Sequence, residues 1–553
     1  MADAVSGDTE AHRSTDPSRK RGGWITFPFV AATFLGLSLT SFGWLLNLIV
    51  YLIEEFNIKS IAAAQISNII NGCVNMFPLV AAIIADSFFG NIPIVSISTF
   101  ISLIGIFALT LTASLNHLRP QKCETGSILC QSPSKLQLGF LYAALTLASI
   151  GSGGSRFTLA ATGANQHEKP KDQQSFFNWF FFAGYIGVLT AATAIVYTQD
   201  NASWKLGFGL CAAANLICFI VFISGKRFYK PEKIMGSPYT SMARVVVAAT
   251  MKRKSVVSSR EEDYHHGLGK EANTTVLVPS ESFRFLNSAA LKTKEDDSSH
   301  SKWRLCSVQE VEDFKAVLRL LPLWASVIIL STPVAMQITL TVLQGLAMDR
   351  AIGSNFKVPA GSLQVISTVS TIAFLIVNSL LVYPMCKKLI RKRLTPLQQV
   401  GIGHVITIIS MAMSAVVEAK RLKEVENGHS MSVLWLFPPL VVVGIGEAFH
   451  LPANVAVFYG EFPDSLKNTA ASLTSVVIGV SYYMSTALTD VIQRTTAWLP
   501  DDINHGRVDN VYWVLVIGGI LNFGYFLVCS WVYRYRNLED DDVHEQDPKD
   551  VTT

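Results

Sequence analysis

The sequence predicts an all-α membrane protein of twelve transmembrane helices arranged as two six-helix halves. Half of its 553 residues are hydrophobic and only 16% are charged, short of the ~25% charge content of soluble domains. Mean hydropathy is +0.36. Apolar runs of the ~20 residues that cross a ~30 Å hydrocarbon layer recur along the chain.

Six runs, at 29–53, 62–85, 92–115, 136–164, 175–197 and 204–224, form an N-terminal half (29–225). Six more, at 316–342, 361–384, 396–417, 433–457, 469–492 and 511–533, form a C-terminal half (316–533). A polar tail (1–28) precedes them and an acidic tail (534–553) follows. The segment between, 226–315, is rich in Ser, Lys, Glu and Asp and reads as a linker loop with too little apolar content to build a core. Two sets of six around a hydrophilic loop is a transporter layout, with the substrate site between the halves near the membrane midplane.

Charge sets the orientation. Arg19-Lys20-Arg21, Lys226-Arg227, and Lys387, Lys388, Arg391, Lys392 and Arg393 fall on one side, which is expected to be cytosolic and to hold both termini. Lys420, Arg421 and Lys423 fall on the other side, among Glu418, Glu424 and Glu426. The apolar run after Arg21 is too long for a signal-peptide core, so no cleaved signal is expected. A net charge of +4 is too small to argue for a nucleic-acid or other polyanionic partner.

Of the eight cysteines, Cys123 and Cys130 share a short polar segment and are candidates for a local disulfide on an oxidising exterior. The other six read as packing residues, and no spacing suggests a metal or cofactor. In the linker, Lys252-Arg253-Lys254-Ser255 reads either as a solvated basic patch at the membrane surface or as a site where a basophilic kinase modifies Ser255. Two Asn-x-Ser/Thr strings occur, at Asn201 and Asn273, the first close to the bilayer and the second in the cytosolic linker.

Ionisable groups within spans cost about 2.5–3.5 kcal/mol on insertion scales, so the few present mark candidate chemistry. Arg156 follows Gly151, Gly153 and Gly154 in the fourth span and is the leading substrate contact, with a salt bridge or snorkelling as the structural alternative. Glu447 in the tenth span is a candidate proton site, or a partner for Arg156. His450, three residues on, is a second candidate on roughly the same helical face. Gln337 and Thr339 follow Pro333 in the seventh span and offer hydrogen-bonding groups to a pathway. Asp86 reads as a structural contact between helix ends. Trp179, Phe180, Phe181 and Phe182 make the fifth span aromatic, mostly for packing. The sequence holds no Gly-x-Ser-x-Gly, Walker-type loop or His-Glu-x-x-His, so neither an enzyme nor a P-loop pump is expected.

Several strings then carry a resemblance across nearly the whole chain: Asn47-Leu48-Ile49-Val50-Tyr51-Leu52, Ala85-Asp86-Ser87-Phe88-Phe89-Gly90, the run from Gly151 to Arg156, Gly163-Ala164-Asn165-Gln166, Ser175-Phe176-Phe177-Asn178-Trp179-Phe180, Met348-Asp349-Arg350 and Phe462-Pro463-Asp464-Ser465. The chain resembles the plant nitrate transporter 1/peptide transporter family, a branch of the proton-dependent oligopeptide transporters within the major facilitator superfamily. It looks closest to the nitrate-excretion subgroup. The resemblance implies a plasma-membrane transporter of nitrate or chloride, and adds Asn178 as a candidate substrate contact.

The departures from the family pattern also matter. Proton-coupled relatives carry Glu-x-x-Glu-Arg/Lys on the first span, where this chain has Phe34, Leu37 and Ser38. Arg156 keeps the position of the fourth-span cation but lacks both partners that the motif would supply. A nitrate-contacting histidine of one relative corresponds to Ala335, and a phosphorylated threonine of that relative to Ile94. The expected activity is therefore passive, voltage-driven anion efflux by alternating access. Proton-coupled symport of nitrate or a larger organic anion, and a transport-linked receptor, are the alternatives.

Overall fold

In the computed structural model, the described residues are 21–121, 131–167, 169–231, 238–255, 257–258, 260–266, 279–293, 303–353, 356–391, 394–461 and 467–533. Within them stand twelve helices long and apolar enough to cross a membrane: Gly23–Glu54, Ser60–Phe89, Asn91–Ser114, Lys135–Ala164, Ser175–Asn201 and Trp204–Arg227, then Val308–Leu346, Ala360–Leu389, Pro396–Glu426, Val433–Val457, Ser472–Thr495 and Val508–Val532. They are numbered here as spans one to twelve. The start of span one, the end of span twelve and the linker share one end of the bundle, the linker end; the opposite end is the far end.

Each predicted run has its helix, and two helices extend well beyond their apolar stretch. The seventh starts at Val308, where Ser307 Oγ accepts from the Glu310 amide at 3.2 Å and Glu310 Oε2 accepts from the Ser307 amide at 2.9 Å. This capping box satisfies two otherwise orphaned backbone donors, so the helix begins in sequence that reads as linker. The ninth continues through polar residues to Glu426. Arg421 is therefore no loop charge but a fully buried helical residue paired with Glu418 at 2.8 Å.

Within the N-terminal half, small residues let helices approach backbone to backbone. A Cβ at Gly151 would stand 2.2 Å from the Ser102 nitrogen of span three, and one at Gly153 would stand 2.7 Å from the Val74 oxygen of span two. A Cβ at Gly154 would likewise collide with Ser98 Oγ. The glycines ahead of Arg156 thus clamp span four against spans two and three. Asp86 lies in a π-helical turn, 85–89, that ends span two, and Gly90 then turns the chain with φ 77°, a region open to glycine.

Spans two and eleven form the seam between halves. A Cβ on Gly479 would lie 3.1 Å from the Gly72 carbonyl oxygen, and one on Gly72 would meet the Tyr483 ring at 2.8 Å. Asn68 Nδ2 donates to Ser485 Oγ at 3.2 Å, and Ser475 Oγ donates to the Asn75 carbonyl at 2.9 Å. At the far end the halves are latched by Lys59–Asp501 at 2.5 Å and Arg350–Asp200 at 3.6 Å, and by Ser362 Oγ donating to the Ala192 carbonyl at 2.7 Å. Asn47 Nδ2 donates to Asp200 at 2.8 Å, so two strings singled out in the sequence, around Asn47 and Arg350, meet at one carboxylate.

The linker departs from expectation. Val245, Ala248 and Ala249 of a helix, Pro238–Met251, pack with Tyr264, Leu286, Ala289, Ala290 and Leu291 against Val308 and Val311 of span seven. A small core forms because the projecting base of span seven supplies the missing apolar face. Lys252 is buried in it, donating to the Leu291 carbonyl at 2.7 Å, while Arg253 and Lys254 remain exposed and Ser255 is half-buried. Cys123 and Cys130 lie outside the described residues.

Candidate functional site

Arg156 is enclosed by protein on every side, yet its side chain is open to solvent-sized space. It thus faces an internal void. Among the described residues its one hydrogen bond is to Asn75 Oδ1 of span two, at 3.5 Å, and no carboxylate lies in ion-pair range. Asn75 Oδ1 also accepts from Ser475 Oγ of span eleven at 3.4 Å, so the arginine leans on the seam between halves. A guanidinium holds five donors, and one long bond leaves most of them available to a ligand.

The first-span positions that carry carboxylates in proton-coupled relatives are filled by apolar packing. Phe34 stacks on Phe180 with centroids 3.9 Å apart, against Gly184, where a Cβ would collide at 2.2 Å. Leu37 is buried beside them. No acid can reach Arg156 from this face.

Across the void, Glu447 of span ten makes one hydrogen bond among the described residues, accepting from Thr371 Oγ1 of span eight at 3.2 Å. Arg156 and Glu447 do not touch, but each acts electrostatically on the hydroxyls of both Tyr185 and Tyr482. The two tyrosines belong to spans five and eleven, one in each half, and Tyr482 also lines the cavity toward the far end.

Beyond this layer, toward the far end, lies a cavity of about 140 Å³ beneath the latches. Tyr482, Ser67, Asn71, Thr339, Gln364 and Thr368 give it polar edges within an apolar wall that includes Phe42, Leu45 and Val342. Thr339 thus lines this cavity. Gln337 does not: its amide donates to Ser410 and Ser414 of span nine at 3.1 and 2.8 Å, and it is corrected to a packing residue of the C-terminal half.

His450 is also corrected. It is buried against span nine, where a Cβ on Gly403 would meet its own at 2.7 Å, with neither ring nitrogen hydrogen-bonded. Glu447 reaches toward span eight instead, so the two do not form one proton site. The Asn178 side chain lies outside the described residues. Among those described, no group of three His, Cys, Asp or Glu side chains is placed to hold a metal.

Sequence reading missed Asn75, Tyr185 and Tyr482. One signal was available: Asn68, Asn71 and Asn75 recur at three- and four-residue spacing, which puts three amides on one face of an apolar helix. In the fold that face meets Ser485, the cavity and Arg156 in turn.

Residues 93–505 match the sequence profile of the POT family. The chain is 73% identical to Protein NRT1/PTR FAMILY 2.5 of Arabidopsis thaliana and 71% identical to Protein NRT1/PTR FAMILY 2.3 of the same plant, each alignment covering 100% of both chains. This chain belongs to the POT family, in its NRT1/PTR branch. The fold agrees: an auto-inhibited POT family peptide transporter superposes with a TM-score of 0.68 at 18% identity, over 92% of this chain and 97% of that one. PepTSo, another POT family transporter, gives 0.63 over 95% and 99%. Members of the POT family are membrane transporters of major facilitator type, so the protein is a transporter and not an enzyme.

Proposed function

We propose that this POT family member carries small inorganic anions, nitrate or chloride, across the plasma membrane by passive, voltage-driven efflux. The observation that carries the reading is Arg156: a cation in the middle of the pathway, open to solvent, held by one neutral amide contact. An arginine so placed recognises planar or compact anions through several charge-assisted hydrogen bonds. With the linker end taken as cytosolic, the pairs that hold the far end shut support a transporter that admits its anion from the cytosol. Alternating access then needs the far-end pairs Lys59–Asp501 and Arg350–Asp200 to part as the linker end closes.

Direction follows from voltage. Moving one charge through 100 mV is worth about 2.3 kcal/mol, so an inside-negative membrane drives a monovalent anion outward by roughly fiftyfold in concentration. Concentrative uptake needs more than one coupled proton per anion, and the first-span carboxylates are replaced here by the Phe34–Phe180 stack.

A second reading, proton-coupled symport of nitrate or a larger organic anion, is favoured by one observation: Glu447 is a carboxyl group inside span ten whose one hydrogen bond among the described residues comes from the neutral Thr371 hydroxyl. Anion flux in proteoliposomes separates the two, with voltage clamped by ion gradients and the pH gradient varied independently. The efflux reading expects flux that follows voltage and ignores the pH gradient, with the nitrate-to-chloride ratio naming the preferred ion. Flux that requires the pH gradient replaces it with symport through Glu447.

A further inference from the structure

The seventh helix runs for 39 residues, about 58 Å at 1.5 Å per residue, whereas a bilayer with its headgroups spans ~40–45 Å. Counting ~20 residues of hydrocarbon back from Leu346 reaches the neighbourhood of Ser326. Arg319, about two turns nearer the linker, stands roughly 10 Å beyond, at the height of the lipid headgroups.

One stretch of linker is pinned at this height. Arg319 Nη2 donates to Ser280 Oγ at 3.2 Å and to Ser282 Oγ. The buried Lys315 donates to the Ser280 carbonyl at 2.8 Å, and the Ser280 amide donates to Glu312 Oε1 at 2.8 Å. The chain then passes through Phe283 in a left-handed conformation, φ 49°, a strained state for a bulky side chain. A short 3-10 helix, Arg284–Ala290, follows, and its Leu286, Ala289 and Ala290 are buried in the linker core. Left outside are Phe283 at 38% exposure and Phe285 at 67%, with the exposed Arg284 between them. Glu281, 3.7 Å from Arg284, is the nearby acid.

We propose that Phe283 and Phe285 insert among the headgroups of the leaflet on the linker side, with Arg284 and Arg319 facing the phosphates of anionic lipids. Aromatic side chains flanked by arginine at headgroup height match the chemistry of the bilayer interface. Elsewhere on the linker Arg253 and Lys254 are exposed, as is the acidic Glu262. A soluble protein partner fits less well: two aromatic side chains offer about 150–250 Å² each, against the ~800 Å² per partner of a stable protein interface. The docked turn would tie the base of span seven to the membrane surface while the halves move.

The test uses full-length protein in nanodiscs of phosphatidylcholine alone and of phosphatidylcholine with phosphatidylserine, read by amide hydrogen exchange over residues 283–291. Exchange should slow in the anionic discs by about fivefold for each arginine engaged, the equivalent of ~1 kcal/mol per basic residue at an anionic surface. A Phe283→Ser/Phe285→Ser variant should lose the difference while keeping its melting temperature, since both rings are already exposed. Arg284→Glu, which keeps the aromatics, should also lose it. Exchange indifferent to lipid charge in the native chain, the result expected of a surface reserved for a protein, overturns the proposal. So does lipid-dependent slowing that survives either variant.

Discussion

Two arginines on the membrane spans differ in what surrounds them. In the C-terminal half Arg421 is fully buried and fully satisfied: its Nε and Nη2 donate to Glu418 at 2.8 Å, and its Nη1 donates to Asn504 at 2.6 Å. Gln344 closes the network by donating to Glu418 at 2.7 Å and accepting from the Tyr512 hydroxyl at 3.1 Å. In the N-terminal half Arg156 has one long contact to an amide and opens onto a void. Burying a guanidinium is costly in both places. Arg421 offsets that cost with its own acid, whereas Arg156 has no acid beside it among the described residues, which is what the proposed anion contact requires. The difference lies in the partners each arginine retains, since both sit on helices of similar length and burial.

The largest effect that sharpens this contrast belongs to Arg421. Arg421→Ala should leave Glu418 buried and unpaired and cost about 3–5 kcal/mol, seen as a collapse in melting temperature and yield. The paired change Arg421→Met/Glu418→Leu should recover most of it. An Arg421→Ala protein that melts like the native one would break the contrast at its structural end.

Arg156→Ala should behave oppositely. Thermal melting and surface delivery should hold, while anion flux falls roughly 10–100-fold, from the ~1.5–3 kcal/mol of charge-assisted hydrogen bonding removed. Unchanged flux would remove Arg156 from the mechanism.

A subtler variant converts one arginine into the likeness of the other. Asn75→Asp places a carboxylate where Arg156 now meets an amide oxygen, and the resulting pair should compete with the substrate. Flux should drop about tenfold, with half-saturation moved to higher anion concentration, since a paired guanidinium loses of order 1.4 kcal/mol of its attraction for a ligand. A flux curve identical to the native one would show that Arg156 does not need to be free.

Glu447→Gln should have the smallest effect, altering the pH dependence of flux while the nitrate-to-chloride ratio stays put. A change confined to protein yield would make Glu447 structural.

Much of this was legible in the sequence, for identifiable reasons. Apolar runs of membrane-spanning length have few other uses in a chain this poor in charge, so all twelve spans could be read. Arg156 stood out because a cation beside three glycines inside such a run needs explaining. The polar beginning of span seven was hidden because Gln309, Glu310, Glu312 and Asp313 resemble linker, although the Ser307–Glu310 capping box marked its start. Gln337 was misplaced for a different reason. A polar group in an apolar helix announces that it needs a partner without saying on which side, and here the partners were Ser410 and Ser414. His450 shows the same limit, since spacing put it beside Glu447 while packing sent the two toward different helices. Asn75, Tyr185 and Tyr482 acquire their meaning only when spans two, five and eleven converge on one void.

The crossing of Gly72 and Gly479 has a mechanical consequence. Where two helices cross glycine on glycine their backbones come close, with the Tyr483 ring and the Met76 side chain packed beside the crossing, and the seam can serve as a bearing on which the halves rock while the latches at its rim open and close. A bearing of this kind depends on clearance: a single methyl group at either glycine, carried into contact with a carbonyl oxygen or the Tyr483 ring, would wedge it. The resulting transporter would be folded, inserted and seized.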